Sequence, residues 1–250
     1  LVLLHGWTSS AALNYFRCFE VLSRRFRVIA LDHRGHGRGI RSRRPFRLED
    51  CADDAAALAG ALGTGPVTVV GYSMGGPVAQ LLWRRHPEMV KGLVLCATAT
   101  RFAPPRTYPT PVDLIGSGAA LALAGVPAPV RSRGYEMLVR NRLNGTGIAD
   151  WAVVEWQRHD PAALLQAGMA LSRFDSSGWI AEVDVPTSVI ITELDLTVPP
   201  SRQRQLASAI PGAVTYRVAG GHRACADQPD LFVPALVQAC QAATRQPIRD

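Results

Sequence analysis

The richest concentration of chemistry in the sequence is Gly71-Tyr72-Ser73-Met74-Gly75-Gly76, a G-x-S-x-G pattern. The β-branched run Val67–Val70 leads straight into it, and Pro77–Leu82 leaves it with helical character. A strand that turns at once into a helix forces its central residue into a strained backbone conformation. Only small residues fit two positions to either side, which accounts for Gly71 and Gly75. The turn projects the Ser73 hydroxyl off the sheet beside the free amides of a helix start. A plain glycine-rich turn shares this pattern, so Ser73 becomes a candidate nucleophile only if partners exist.

An unactivated serine needs a base, and the base needs a group that orients it. Of the six histidines, His86 precedes a proline at a helix end and His159 lies in a polar stretch, so both read as structural or surface residues. His222 follows the strand-like Thr215–Val218 and the pair Gly220-Gly221. That puts it past the carboxyl end of a strand, the edge where open α/β sheets gather their ligand and catalytic groups. Ser188–Thr192 leads in the same way into Glu193-Leu194-Asp195. Asp195 has enough loop to bend toward His222 and hold its tautomer. Glu193 is the rival, and Asp184 precedes its strand and so falls at the wrong end. A fourth strand end, Leu3-Leu4-His5-Gly6-Trp7, offers the Trp7 amide to a developing oxyanion, with the Met74 amide as second donor. His5 itself reads as a loop scaffold. Tyr72 and Trp7 flank these groups and are the candidates to face substrate.

The elements that must position these groups alternate. Leu1–Leu4, Arg27–Leu31, Val67–Val70, Gly92–Cys96, Ser188–Thr192 and Thr215–Val218 read as near-continuous apolar strands. Ala11–Arg24, Leu48–Leu62, Gly75–His86, Ser201–Ile210 and Asp230–Ala243 read as helices between and after them. Strand–helix alternation predicts right-handed βαβ units, hence an α/β fold with a mostly parallel sheet and helices on both faces. The alternation fails between about Thr98 and Trp179. That stretch opens with Pro104, Pro105, Pro109 and Pro111 and continues without a strand-like run. The expected organisation is a core formed by residues 1–97 and 180–250, with 98–179 as a helical insertion capping one end of the sheet.

Composition narrows the class. At 250 residues, with 48% hydrophobic and 19% charged, the chain is long enough for one α/β domain with a full core. It excludes a disordered tail, a collagen-like repeat and a disulfide miniprotein. Net charge is +7, with the densest arginine run between Arg24 and Arg47, but these residues alternate with Gly, His, Pro and Phe rather than lining a helical face. No nucleic-acid-binding motif accompanies them, so a solvated basic loop is expected and no nucleic-acid partner. The apolar stretch Leu114 to Val126 is too short to span a bilayer. Five cysteines without C-x-x-C spacing point to reduced thiols in a cytoplasmic protein, and to neither zinc nor a disulfide framework.

With Ser73, Asp195 and His222 in that chain order, the sequence resembles the α/β-hydrolase superfamily, and the resemblance runs nearly the whole length. His5-Gly6-Trp7 matches the family's HG-x oxyanion loop, and Asp32-His33-Arg34-Gly35-His36-Gly37 its D-x-R-G-x-G segment. Gly71 to Gly75 matches the nucleophile elbow and Gly221-His222 the terminal GH. Two departures stand out: Gly39 stands where the D-x-R-G-x-G segment usually continues to a serine, and Thr192 replaces the usual glycine before the acid. The family normally places two antiparallel strands before the HG strand, and this sequence starts at that strand, so the expectation is either a truncated chain or a reduced sheet. The resemblance implies a helical cap, a serine nucleophile rather than the aspartate of haloalkane dehalogenases and epoxide hydrolases, and no metal or organic cofactor. It implies hydrolysis of a carboxylester, lactone or thioester of a small-molecule substrate through an acyl-enzyme. Carbon–carbon bond hydrolysis, perhydrolysis (haloperoxidase-type) and acyl transfer run on the same triad and stay open, as does a non-catalytic ligand-binding role. The apolar insertion (Leu114, Ile115, Leu121, Leu123, Val126) suggests a pocket for an acyl group. The sequence leaves the oligomeric state open.

Overall fold

The computed structural model of the chain describes residues 1–42, 44–103, 111–143 and 148–244. Among these, six strands form one sheet: β1 (Val2–Leu4), β2 (Ile29–Leu31), β3 (Val67–Tyr72), β4 (Val90–Cys96), β5 (Thr187–Thr192) and β6 (Val214–Val218), in the order β2-β1-β3-β4-β5-β6. Every pairing is parallel. β3 and β5 are buried along their whole length, as strands covered on both faces must be.

Successive side chains of a strand point to opposite faces, and the two faces build two separate cores. Val69, Leu93, Leu95, Val189 and Ile191 pack against α3 (Leu48–Ala61), α4 (Gly75–Arg85) and α9 (Pro200–Ala209). Their alternates Val70, Val94, Cys96 and Ile190 pack on the other face, against α1 (Ala11–Tyr15), α2 (Phe19–Ser23) and α11 (Pro229–Thr244). Between β4 and β5 lie α5 (Pro111–Gly125), α6 (Ala128–Leu143), α7 (Asp150–Gln157) and α8 (Pro161–Arg173). Ala167 and Leu171 of α8 join the first core, so this helix is anchored into the sheet layer and does not merely rest on it.

Three expectations change on inspection. The helix read over Ala11–Arg24 is two short ones, α1 and α2. Tyr15, Phe16 and Phe19 lower helix propensity there, and Tyr15 is anchored by its hydroxyl, which donates to the Leu4 carbonyl at 2.9 Å. A short helix, α10 (Ala224–Asp227), follows His222 where no helix was expected. Leu121, expected in an apolar pocket, is 72% exposed. Pro104, Pro105, Pro109 and the Leu114 and Ile115 side chains lie outside the described residues. No helix among the described residues is long and apolar enough to cross a membrane.

Candidate active site

The carboxyl ends of β1, β3, β5 and β6 bring the sequence-selected residues together. At the end of β3, Ser73 has φ of +51°, a left-handed conformation that a non-glycine residue adopts only under constraint. The constraint is visible. Its amide donates to the Cys96 carbonyl at 2.9 Å, and Thr98 Oγ1 donates to its carbonyl at 2.8 Å. A Cβ at position 71 would lie 2.3 Å from the Gly75 carbonyl oxygen, and one at position 75 would lie 2.1 Å from that of Leu4. Both glycines are therefore required for β1, β3 and α4 to approach as they do.

Ser73 Oγ lies 2.9 Å from His222 Nε2, and His222 Nδ1 lies 2.7 Å from Asp195 Oδ2. An ionised carboxylate only accepts, so Nδ1 carries the proton and donates to Asp195. In the neutral ring Nε2 is then the acceptor, and it receives the Ser73 hydroxyl. Asp195 is 2% exposed. Its Oδ1 accepts from the Thr197 and Val198 amides at 2.8 and 2.9 Å, and its Oδ2 from Thr192 Oγ1 at 2.8 Å and Gln203 Nε2 at 3.3 Å. Burial pushes this carboxyl's pKa up, but the bonds from His222, Val198 and Thr192 outweigh it and hold the group below the usual carboxylate range.

The rival acids point elsewhere. Glu193 accepts from Arg217 Nε at 2.6 Å and Arg204 Nη1 at 2.8 Å at the surface. Asp184 accepts from Trp83 Nε1 at 3.1 Å. His86 meets Asp53 at 2.8 Å.

At the end of β1, a Cβ on Gly6 would lie 3.3 Å from Ser73 Cβ, so the His5-Gly6-Trp7 loop sits directly against the elbow. Among the described residues the Trp7 and Met74 amides donate to no protein group, which leaves both able to donate to a ligand. His5 Nδ1 donates to the Gly6 carbonyl at 2.8 Å and its Nε2 accepts from the His33 amide at 2.9 Å, which fixes this ring as a neutral loop scaffold.

Tyr72, expected to face substrate, does not. It sits 3% exposed in the second core, its ring edge-on to Phe232 and His222, and its hydroxyl donates to the His222 carbonyl at 2.7 Å. The reason is strand parity: Tyr72 follows Val70 by two residues and shares its face. The Trp7 side chain is 42% exposed, and its Nε1 donates to the Leu164 carbonyl of α8 at 2.8 Å.

Two buried amides at the site carry no signature in the sequence. Gln203 binds Thr192 and Asp195 together, and its position in the polar run Ser201–Gln205 gave no sign of burial. Asn14 Oδ1 accepts from the Gly6 amide at 2.9 Å while its Nδ2 meets Cys225 Sγ at 3.3 Å, linking the oxyanion loop to the histidine loop. Among the described residues no group of three or more His, Cys, Asp or Glu side chains is arranged to hold a metal ion.

Comparison with known proteins agrees with this fold. Residues 1–229 match the family described as the alpha/beta hydrolase fold. A pimeloyl–acyl-carrier-protein methyl ester esterase of Chromobacterium violaceum is 29% identical, the match covering 95% of this chain and 92% of that protein. A poly(3-hydroxyalkanoate) depolymerase of Ectopseudomonas oleovorans is 27% identical over 90% of this chain and 79% of its own. The crystal structure of the enol-lactonase from Burkholderia xenovorans superposes with a TM-score of 0.76 at 22% identity, covering 96% of this chain and 90% of that one.

Proposed function

The chain belongs to the alpha/beta hydrolase fold family, and on that premise we propose that it is a serine hydrolase acting on ester-type bonds through Ser73, His222 and Asp195. The observation that carries this reading is the unbroken relay from Ser73 Oγ through His222 to a buried carboxylate, at 2.9 and 2.7 Å, on a strained elbow. His222 takes the serine proton as Ser73 attacks the substrate carbonyl. The Trp7 and Met74 amides receive the oxyanion, and the same histidine then protonates the leaving group. Water, activated by His222, releases the acyl-enzyme.

Relatives named as a methyl ester esterase and a poly(3-hydroxyalkanoate) depolymerase support a carboxylester as the substrate class. The five thiols are all buried and unpaired, which suits a reducing compartment such as the cytoplasm.

A fluorophosphonate probe and p-nitrophenyl esters of increasing acyl length test the reading together. The wild-type protein is expected to label at Ser73 and to hydrolyse the esters. Ser73→Ala removes only the hydroxyl of a residue that is 6% exposed, so it should fold normally, fail to label and lose about 10⁴-fold or more in kcat. A folded Ser73→Ala protein that keeps a tenth of wild-type turnover overturns the assignment.

A further inference from the structure

The oxyanion loop is tied to the insertion almost residue by residue. Trp7 Nε1 donates to the Leu164 carbonyl of α8 at 2.8 Å, and Trp156 Nε1 of α7 donates to the Thr8 carbonyl at 3.0 Å. Ser10 Oγ meets Glu155 Oε2 at 3.4 Å, and Glu155, 4% exposed, is itself held by Arg38 at 2.6 Å. The fit is also steric: a Cβ at position 168 would lie 2.7 Å from the Trp7 ring, so Gly168 is the notch in α8 that lets the indole lie down. Thr8 has φ of +57°, a strained state for a β-branched residue, and Trp156 pins the carbonyl of that very residue. Gly6, the residue before Trp7, is held from the core side: its amide donates to Asn14 Oδ1 at 2.9 Å, and its carbonyl accepts from His5 Nδ1 at 2.8 Å and from the Ser9 amide at 3.3 Å. Among the described residues, the hydrogen bonds of Trp7 and Thr8 run to the insertion.

We propose that α7 and α8 are part of the catalytic apparatus: through the Trp7 indole, Gly168 and Trp156 they hold the Trp7 side chain and the Thr8 carbonyl on the outer side of the Gly6–Trp7 peptide and so complete the orientation of the Trp7 amide toward the oxyanion, and the rate of the chemical step depends on how the insertion is seated. This rests on the serine-hydrolase reading above. Trp156 and Gly168 are positioning residues, since they act through the loop and not on substrate. An insertion that only shaped the acyl pocket would affect long substrates alone. One that positions the oxyanion donor affects every ester, including those too short to touch α7 or α8.

The test uses two variants that disturb the loop independently. Trp156→Phe keeps an aromatic ring but removes the donor to Thr8, and Gly168→Ala pushes against the Trp7 ring. Hydrolysis of methyl acetate and methyl octanoate is followed by titration of released acid, with circular dichroism confirming the fold. Removing an oxyanion donor outright costs about 10²–10³-fold. A displaced donor is expected to cost about tenfold in kcat for both esters alike, with KM changed less than about twofold. Losses confined to methyl octanoate, or carried by KM, overturn the proposal, as does an unchanged kcat in both variants. Ser73→Ala is run alongside. Activity surviving in it overturns the hydrolase reading and the proposal together, whereas a Ser73-dependent rate that both variants leave intact overturns the proposal alone.

Discussion

The two halves of the proposed site, acid–base and oxyanion, are held by different means. The acid–base half is a local construction of the core: Asp195 and His222 sit on loops leaving the neighbouring strands β5 and β6, and the Leu194 amide bonds the Gly220 carbonyl at 3.0 Å across them. Thr192, Thr197, Val198 and Gln203, all within eight residues of Asp195, supply its remaining donors. The oxyanion half is assembled over long range. Its loop follows β1, yet its partners Trp156 and Leu164 arrive from about 150 residues later in the chain. A carboxylate saturated by local donors has one place to be. A loop whose outer bonds come from a separate layer takes its position from that layer.

The largest test of this contrast lies in the acid. Asp195→Asn keeps the shape of the side chain but presents an amide to a pocket built of donors, so it turns against Thr192, Thr197 or Val198 and favours the wrong imidazole tautomer. The same change in a serine triad costs about 10⁴-fold in kcat. That loss is expected here with the fold intact by circular dichroism. A drop of less than about tenfold would mean that the acid–base half is not the rigid element described above.

Acid should loosen the other half. His5, His33, His36 and His159 cluster at the junction of the loop after β1, the 32–41 loop and the insertion, their rings tilted or edge-on with centroids 4.4 to 5.5 Å apart. Burial is the main cause that lowers all four: His33 and His159 to about 3, His36 to about 4, and His5 well below its ordinary 6.5. Because these folded-state values lie below the unfolded one, the unfolded chain binds more protons as pH falls through 6.5. Their contribution to stability is therefore complete above about pH 6.5 and is lost progressively toward pH 4, by up to about 1.4 kcal/mol per pH unit for each histidine. Urea melts between pH 7.5 and 4.5 measure that slope. His33→Phe removes a ring whose nitrogens have no partner among the described residues, so it should flatten the slope by about one histidine's worth. An unchanged slope in His33→Phe would show that the cluster does not control acid lability. The slope, rather than absolute stability, is the readout because phenylalanine is the bulkier ring.

The contrast between the halves also decided what could be read from the sequence. Gly71 and Gly75 announced the elbow because close backbone approach leaves a residue-type signature at fixed spacing. Asp195 and His222 were legible because each lies a few residues past a strand whose apolar run is plain. Gln203 was not, because its burial depends on how α9 rotates against β5. Trp156 and Thr8 were not, because no local pattern marks a hydrogen bond between residues 148 positions apart. Tyr72 could have been placed correctly, since counting by two along β3 from Val70 puts it on the face away from the nucleophile.

The smallest expected effect sharpens the contrast most finely, because it asks whether charge near the base is enough or whether the charge must be held. Glu193 is two residues from Asp195 on the same loop, and its amide bonds the Val218 carbonyl at 2.9 Å beside the histidine loop. Its carboxylate is drawn outward instead, to Arg217 and Arg204, and the bond from Arg217 chiefly holds its pKa below the ordinary value. Glu193→Gln removes a surface charge and two exposed ion pairs, interactions worth about 0–1 kcal/mol to stability. No bond to Asp195 or His222 is touched, so kcat should change by less than about twofold, where Asp195→Asn loses about four decades. The two variants assayed side by side separate proximity from position. If Glu193→Gln is the one that fails, the loop's negative charge matters irrespective of burial and donors, and the local clamp around Asp195 is not what sets the base.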